Sequence, residues 1–357
     1  MRALDNPSIG RAGTWQRIIG SQQFGLTAVI LLLSFILSTQ AGSHTDHITG
    51  KVVNNFLSPD SISLVFTQAS FFSVMAVGAT LVIITGGIDL SVGSTYALSA
   101  VTTLMALQRW KLEGPTAVWV GLGVALAVGL VCGAINGIMV VKLKVHPFII
   151  TLGTMWIYRG IAFVTTQAES LVGPDSLTSV MKATFGLGGG IYPVPLLILV
   201  GVAVLGTIFL TKTVAGRYVF AVGGNLTASV YSGVNVGRVL VLVYAICGLM
   251  AGLSAFMGCG YYSGANCNDA QGYELYVIAS AVVGGVSLVG GKGSALGATL
   301  GALLIILIRQ SISFLHLDQN YQWIIIGAAI VAAVVLDRTS SALGLKRLAS
   351  SKTTGGT

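Results

Sequence analysis

Long apolar runs separated by short polar segments dominate this chain. The runs are rich in Leu, Val, Ile and Ala, and an α-helix needs about 20 such residues to cross roughly 30 Å of hydrocarbon. The pattern predicts about ten transmembrane helices, at 24–39, 62–85, 91–108, 116–141, 147–165, 191–210, 239–258, 274–290, 294–315 and 322–337. The expected fold class is an all-α integral membrane protein.

The first run has some features of a signal peptide. Arg2, Arg11 and Arg17 precede it, and the small and polar residues 40–43 follow it. Nine further runs favour a retained first helix instead.

The basic residues predict the orientation of the chain. Most of the 19 Lys and Arg residues fall on one side if both termini are cytoplasmic, and cytoplasmic loops carry an excess of Lys and Arg. The predicted organisation is a cytoplasmic segment 1–23, a single transmembrane domain 24–337 with a cytoplasmic loop 211–238, and a cytoplasmic tail 338–357. External segments are expected at 40–61, 109–115, 166–190, 259–273 and 316–321. Of these, 40–61 and 166–190 are long enough to receive an external partner.

Composition supports the membrane interpretation. Of the 357 residues, 54% are hydrophobic and only 8% are charged, against about 25% charged in soluble domains. The 47 glycines are scattered through the apolar runs, as in closely packed membrane helices. The net charge of +8 does not indicate a nucleic-acid partner, because no basic cluster interleaved with aromatic residues is present.

The cysteines do not predict a metal site, because the four have no metal-ligand spacing. Cys132 and Cys247 lie in apolar runs and are expected to be packing residues. Cys259 and Cys267 flank a segment predicted to be external, where an oxidising compartment could join them as a disulfide. That pairing is left open.

Asp89 is the most informative single residue, because it interrupts an apolar region between Gly86, Gly87 and Gly93. An ionisable group at membrane depth marks a transport pathway or a structural pairing, and glycines suit a broken helix that lines a cavity. One hypothesis is that Asp89 caps the next helix by accepting backbone hydrogen bonds. The other is that it contacts a solute or forms a gate.

Other polar and aromatic residues inside the runs are candidates for a pathway. Phe71 and Phe72 lie too deep for interface anchoring, whereas Trp156, Tyr158, Tyr261 and Tyr262 could anchor at an interface or stack on a ring. Asn136 has small neighbours that favour hydrogen bonding between helices, and Arg159 and Arg309 are expected to snorkel or pair with acids. The candidates for a pathway or gate are Asp89, Gln68, Phe71, Phe72 and Asn136.

Two glycine-rich segments hint at internal repetition. Gly86, Gly87 and Leu90 share the pattern Gly-Gly-x-x-Leu with Gly284, Gly285 and Leu288, and each segment follows an apolar run. Repeats are common in transporters, but such patterns recur by chance in a glycine-rich chain. The structural glycines predicted here are Gly86, Gly87, Gly93, Gly284, Gly285, Gly290 and Gly291.

No enzyme constellation is present in the sequence. The chain lacks a Gly-x-x-x-x-Gly-Lys-Ser/Thr phosphate loop, a Gly-x-Ser-x-Gly elbow and a His-Glu-x-x-His motif. A chain without these motifs is expected to be neither an ATPase of the phosphate-loop type nor a hydrolase.

Three ordered motifs resemble the permease subunits of bacterial ABC importers for ribose, xylose, arabinose and galactosides. The first is Gly-Gly-Ile-Asp-Leu-Ser-Val-Gly at 86–93, the second runs from Thr213 through Gly-Gly-Asn at 223–225 to Val236, and the third extends from Gly272 to Ser294. The motifs lie within residues 62–337, which is nearly the whole membrane part. The external segment 261–269 matches no pattern for a particular sugar.

The resemblance implies a transport subunit of the inner membrane that is not itself an enzyme. Its expected partners are a second permease copy, identical or related, a cytoplasmic ATPase that uses ATP and Mg, and a periplasmic solute-binding protein. The chain itself is expected to bind no cofactor and no metal. ATP-driven closure of the ATPase dimer would then turn a central cavity from inward to outward facing.

The resemblance also places an ATPase coupling loop within 211–238. Residues 225–232 can form two helical turns that begin at an Asn cap and end at Gly233, although an ordinary polar loop is the alternative. The residues assigned to this loop are Arg217, Gly223, Gly224, Asn225, Ala228 and Gly233.

Other functions remain open on the sequence. The same scaffold could carry a nucleoside, an autoinducer or a sugar alcohol. An ion-coupled carrier would use Asp89 as its coupling site and need no ATPase, and a membrane enzyme is disfavoured because paired catalytic groups are lacking.

Overall fold

The computed structural model describes residues 22–45, 50, 52–186, 190–315, 317–325, 327–328, 331 and 335. Among them, helices strongly outnumber strands. The helices are α1 Gln22–Gln40, α2 Pro59–Ile84, α3 Val92–Arg109, α4 Gly114–Leu143, α5 Pro147–Thr166, α6 Asp175–Met181, α7 Pro193–Lys212, α8 Val214–Gly224, α9 Leu226–Tyr231, α10 Val236–Tyr262, α11 Tyr273–Val283 and α12 Ala295–Phe314. The strands are β1 Ser43–Thr45, β2 Val52–Asn54, β3 Leu171–Val172 and β4 Gly264–Ala265.

The prediction of an all-α membrane protein is confirmed. Seven of the described helices are long and apolar enough to cross a membrane: α1, α2, α4, α5, α7, α10 and α12. The 18-residue α3 is less apolar, and most of its side chains are buried within the protein, so it does not need an apolar surface. Half of the predicted span 322–337, nearly all of the predicted cytoplasmic segment 1–23 and all of the segment 338–357 fall outside the described residues.

The prediction of a span at 274–290 is wrong. Helix α11 ends at Val283 after 11 residues, which is only about 16 Å of helix. Its first residue, Tyr273, packs against Phe72 with ring centroids 4.4 Å apart. Phe72 lies about 20 Å along α2, so α11 begins near half depth and covers only one half of the membrane.

The segment before α11 consequently does not stay on the predicted external side. Residues 263–272 fold back to half depth, where a Cβ on Gly93 would collide with the carbonyl oxygen of Ala270. Non-helical backbone at this depth is tolerated only where protein or a water-filled cavity surrounds it. Arg159 on α5 supplies part of that surrounding, since its Nη1 donates to the carbonyl oxygens of Cys267 and Asp269, both at 2.6 Å. Arg159 was expected to snorkel or to pair with acids. It binds the carbonyl groups of this re-entrant loop and interacts with Asp269 and Glu274.

Helix α2 is the centre of the molecule. About 94% of the most apolar 18-residue stretch of α2 is buried, against 17% of the corresponding stretches of α1 and α7. Large apolar side chains such as Leu31, Phe35, Val164 and Leu205 are 65%, 66%, 79% and 66% exposed on the peripheral helices. In a membrane these side chains face lipid.

Glycines bring α4 and α10 into backbone contact. A Cβ on Gly129 would collide with the carbonyl oxygen of Gly248, and a Cβ on Gly133 with that of Tyr244. Small residues spaced by four are typical of such close helix pairs. The scattered glycines of the sequence therefore have a packing role here.

The connecting segments contain more structure than the sequence pattern suggested. Strands β1 and β2 form an antiparallel hairpin in the segment 40–61, and β3 pairs with β4. The loop predicted at 211–238 contains two helices, α8 and α9, instead of one short helix.

The cysteines are free thiols. All four are buried, and the Cys259 and Cys267 sulfurs lie 3.7 Å from the carbonyl oxygen of Ala100 and 3.6 Å from Oδ1 of Asn266. The disulfide left open between Cys259 and Cys267 is absent. The first is on α10, and the second lies in the re-entrant loop.

Candidate functional site

Three glycine-rich segments meet at a junction on the predicted cytoplasmic side. They are the end of α2 at 84–87, the end of α8 at Gly223 and Gly224, and the loop before α12 at 289–291. The backbone N–H of Gly291 donates to the carbonyl oxygen of Ile84 across 2.8 Å. The residues that flank the two Gly-Gly-x-x-Leu segments, Ile84 before the first and Gly291 after the second, are therefore in direct contact.

Glycine is required at this junction for two reasons. Gly86, Gly290 and Gly291 have φ values of +82°, +95° and +75°, which other residues rarely adopt. Gly223 has no room for a side chain, because a Cβ there would collide with the Ile84 carbonyl oxygen and lie 2.7 Å from the Gly291 nitrogen. Gly224, by contrast, has nothing within 4 Å of a Cβ position.

Helix α9 forms as the sequence predicts. The Asn225 side chain accepts a hydrogen bond from the Ala228 N–H at 2.9 Å, and the helix is followed by Gly233 with φ +79°. Its apolar side chains are uncovered: Leu226, Val230 and Tyr231 are 55%, 56% and 88% exposed. Arg217, Gly224, Asn225 and Ala228 are exposed as well, so this region presents a mixed apolar and polar surface on the predicted cytoplasmic side.

Asp89 lies just beyond the junction and is 3% exposed. Its Oδ1 accepts hydrogen bonds from the backbone N–H and the hydroxyl of Ser91, at 2.9 and 2.7 Å. Ser91, not Asp89, is the N-cap of α3 and makes no side-chain cap bond. The carboxylate thus shapes the turn before the helix, while the thiol of Cys247 on α10 also lies against it.

Asn136 connects this turn to two further helices. Its Nδ2 donates to the Ser91 hydroxyl at 2.7 Å. The Tyr158 hydroxyl shares its proton between the Asn136 Oδ1 at 3.2 Å and the Cys132 carbonyl oxygen at 3.0 Å. Asn136 is fully buried. The predicted hydrogen bonding between helices is confirmed, and it forms a chain from Asp89 through α4 to α5.

The carbonyl oxygen of Ile88 ties the same turn to α5 and α10. It accepts hydrogen bonds from the Thr151 hydroxyl at 3.1 Å and the Tyr244 hydroxyl at 3.4 Å. A Cβ on Gly87 would lie 2.7 Å from the Tyr244 hydroxyl. Residues 85–91 are consequently a rigidly held turn.

An aromatic cluster occupies the half-depth region near the re-entrant loop. Phe71 and Phe72 are 3% and 1% exposed and form its base rather than an open wall. Phe71 contacts Tyr261 and Tyr262, and Phe72 contacts Tyr273 and Tyr276, with ring centroids between 4.4 and 5.9 Å apart. The tyrosines therefore cover the two phenylalanines and separate them from the surface.

Polar side chains accompany the aromatic cluster. The Nε2 of Gln310 donates to the Oε1 of Gln68 at 2.8 Å, which joins α12 to α2. The Arg309 guanidinium lies 5.8 Å from the ring centroid of Tyr276, within the range of a cation–π contact.

Sequence reasoning missed three residues that form or hold the turn 85–91. Ser91, Thr151 and Tyr244 were not singled out, because Ser, Thr and Tyr are common in apolar runs and carry no motif. Gly284 and Gly285, which were singled out, stand apart from the junction: a Cβ on Gly284 would collide with the carbonyl oxygen of Gly297, so it is a helix-packing residue.

The seven apolar helices, with the buried helix α2 at their centre, define a multi-pass membrane protein. Residues 61–334 match the family described as branched-chain amino acid transport system, permease component. The chain belongs to this family.

Relatives named for sugar transport match most of the chain. It is 37% identical over 295 residues to a ribose import permease of Haemophilus influenzae, covering 82% of this chain and 89% of the relative. It is 35% identical over 288 residues to a D-allose transport system permease of Escherichia coli, covering 80% of this chain and 86% of the relative. Identity to a fructose import permease of Rhizobium meliloti is 32% over 288 residues, covering 79% of each chain. No solved structure matches.

Proposed function

We propose that the chain is the membrane-spanning subunit of an ATP-driven sugar importer. The relatives named for ribose, allose and fructose support the solute class. A binding protein would deliver the sugar on the external side, and a second permease copy would complete the pathway. ATP and Mg²⁺ would be used by a partner ATPase.

The observation that carries this proposal is helix α9. A short helix with exposed Leu226, Val230 and Tyr231, in a loop predicted to be cytoplasmic, is unfavourable unless another protein covers it. An ATPase subunit with an apolar cleft is the expected partner. Arg217 and Asn225, also exposed, would lie at the polar rim of that contact.

The glycine junction provides a route from this docking helix into the membrane. The end of α8 packs through Gly223 onto Ile84 and Gly291, and those residues adjoin the turns that lead into α3 and α12. A displacement of α8 and α9 by the ATPase would therefore move both turns together, since the packing leaves no free space between them. Asp89 and Asn136 would keep the α3 turn rigid during this movement and so act as part of the gate.

The test is co-purification of the chain from native membranes, followed by an ATPase assay. We expect a nucleotide-binding subunit to co-purify, and its ATPase activity to rise when a sugar-loaded binding protein is added. Uptake that persists without any ATPase, driven by an ion gradient, would overturn the proposal in favour of a secondary carrier. Stimulation by an amino-acid-loaded or nucleoside-loaded binding protein would overturn only the assignment of sugar.

A further inference from the structure

We infer that Tyr262, Arg309 and the Gln68–Gln310 pair form the surface that contacts the solute in the outer half of the membrane. This inference rests on the proposed function and adds to it the residues that the solute meets. Phe71 and Phe72 lie behind this surface and support it.

The position of the cluster is the first argument. Phe72, about 20 Å along the 26-residue helix α2, contacts Tyr273 at the start of α11. Arg309 lies about 21 Å along the 20-residue helix α12. Tyr262 is the last residue of α10, but its ring contacts that of Phe71, about 18 Å along α2. The cluster therefore lies in the outer half of the membrane, between half depth and the external interface.

Exposure at that depth is the second argument. The Tyr262 side chain is 55% exposed, and Gln68 and Arg309 are partly exposed. A guanidinium and an amide at this depth are costly against lipid and normally face a water-filled cavity or the interior of a bundle. The peripheral helices α1, α5 and α7 expose apolar side chains instead, so the polar face is distinct from the lipid face.

The chemistry of the surface is the third argument. Tyrosine combines an apolar ring face with a hydroxyl, and ligand sites pair such aromatic walls with a few fixed polar groups. The Gln310 to Gln68 hydrogen bond uses one donor and one acceptor and leaves further amide donors and an acceptor for a ligand. A ring with hydroxyl groups on its edge and an apolar face, such as a neutral sugar, fits this combination.

The positive charge on this surface disfavours cations as the solute. Arg309 stands over Tyr276, and Lys182 lies 5.2 Å from the ring centroid of Tyr261. Asp269, which acts on Tyr262, and Glu274, which follows Tyr273, both interact with Arg159. The cluster thus presents positive charge, which opposes the entry of cations.

Cysteine labelling tests whether the surface faces water. Tyr262→Cys and Arg309→Cys are made in the full chain, and Leu205→Cys on the lipid-facing side of α7 is the matched control. A charged methanethiosulfonate is added to right-side-out and to inverted vesicles. Wild type supplies the blank because its four cysteines are buried.

We expect Tyr262→Cys and Arg309→Cys to react in at least one vesicle orientation and Leu205→Cys to stay unmodified, because the reagent requires a hydrated thiol. Pre-incubation of the loaded complex with ribose, allose or fructose should slow the reaction for the transported sugar. Resistance of both positions to the reagent, or a spontaneous Tyr262→Cys disulfide between two copies, would overturn the inference and indicate a subunit contact instead.

Uptake measurements separate this inference from the proposed function. We expect Tyr262→Ala to lower uptake of the transported sugar by about tenfold and Tyr262→Phe by much less, because the ring supplies most of the contact. Unchanged uptake in Tyr262→Ala would contradict the inference. If wild type moves no sugar with its ATPase and binding protein, the proposed function fails, whatever the labelling shows.

Discussion

The backbone N–H of Gly291 and the carbonyl oxygen of Ile84 lie 2.8 Å apart, although more than 200 residues separate them in the sequence. Gly223 fills the remaining space beside this hydrogen bond. The contact joins the end of the most buried helix to the loop before α12, at the point where α8 ends. Changes at this point should separate coupling from folding.

Gly223→Ala should abolish transport, or reduce it below about a tenth, while the chain still inserts. The added methyl group collides with the Ile84 carbonyl oxygen, and overpacking of a tight contact costs about 1–3 kcal/mol. Uptake and ATPase stimulation in the complex are the measurements, with membrane insertion checked by immunoblot.

Gly224→Ala is the matched control for this change. Its Cβ meets nothing within 4 Å, so uptake should stay close to that of wild type. Equal loss in both variants would show that helix propensity or expression, rather than the Gly223 contact, determines the result.

Tyr231→Asp should release the partner ATPase. Tyr231 is 88% exposed on α9, and a charge placed in a desolvated apolar contact typically costs more than 1 kcal/mol, or more than about fivefold in affinity. The amount of ATPase that co-purifies with the tagged permease is the measurement.

Tyr321→Asp is the control for that experiment, since Tyr321 is 52% exposed in a segment predicted to be external. It should leave ATPase recovery unchanged. Undiminished recovery with Tyr231→Asp would place the docking surface elsewhere.

Asn136→Ala and Tyr158→Phe should not be additive in their effect on stability. Each removes one side of the 3.2 Å hydrogen bond, and coupling between polar groups in membrane helices averages about 0.6 kcal/mol with a maximum near 1.7. Thermal unfolding of the two single variants and the double variant in detergent measures the coupling energy. Strict additivity would show that the bond contributes nothing to stability.

The sequence predicted the membrane class, most of the long helices and the small α9 helix because each depends on local pattern. Apolar length identifies a span, and Asn225 with Gly233 marks both ends of a short helix. The re-entrant loop 263–272 was assigned to the external side because polarity alone does not reveal that Arg159 binds its carbonyl groups. Span 274–290 was predicted too long because apolar composition does not mark a helix end: Val286 and Leu288 are apolar but not helical.

The candidate sites show the same limit. The repeated Gly-Gly-x-x-Leu pattern was visible, but its meaning depends on the contact between Ile84 and Gly291, which no local signal predicts. Phe71 and Phe72 were assigned to the pathway for their depth, and the structure buries them behind tyrosines from α10 and α11. The roles of residues that act through long-range contacts can be assigned only once the fold is known.

Asp89→Asn and Asp89→Ala distinguish the two hypotheses for Asp89. Asn keeps an oxygen that can accept from the Ser91 N–H and hydroxyl, whereas Ala leaves both buried donors unpaired at a cost of about 1–3 kcal/mol each. We therefore expect Asp89→Asn to insert and assemble like wild type and Asp89→Ala to lose stability, measured by thermal unfolding in detergent and by recovery of the complex. If the carboxylate charge also serves the gate, Asp89→Asn should transport several-fold more slowly despite normal assembly. Wild-type transport in Asp89→Asn would restrict Asp89 to shaping the turn, and wild-type behaviour of Asp89→Ala would contradict both roles.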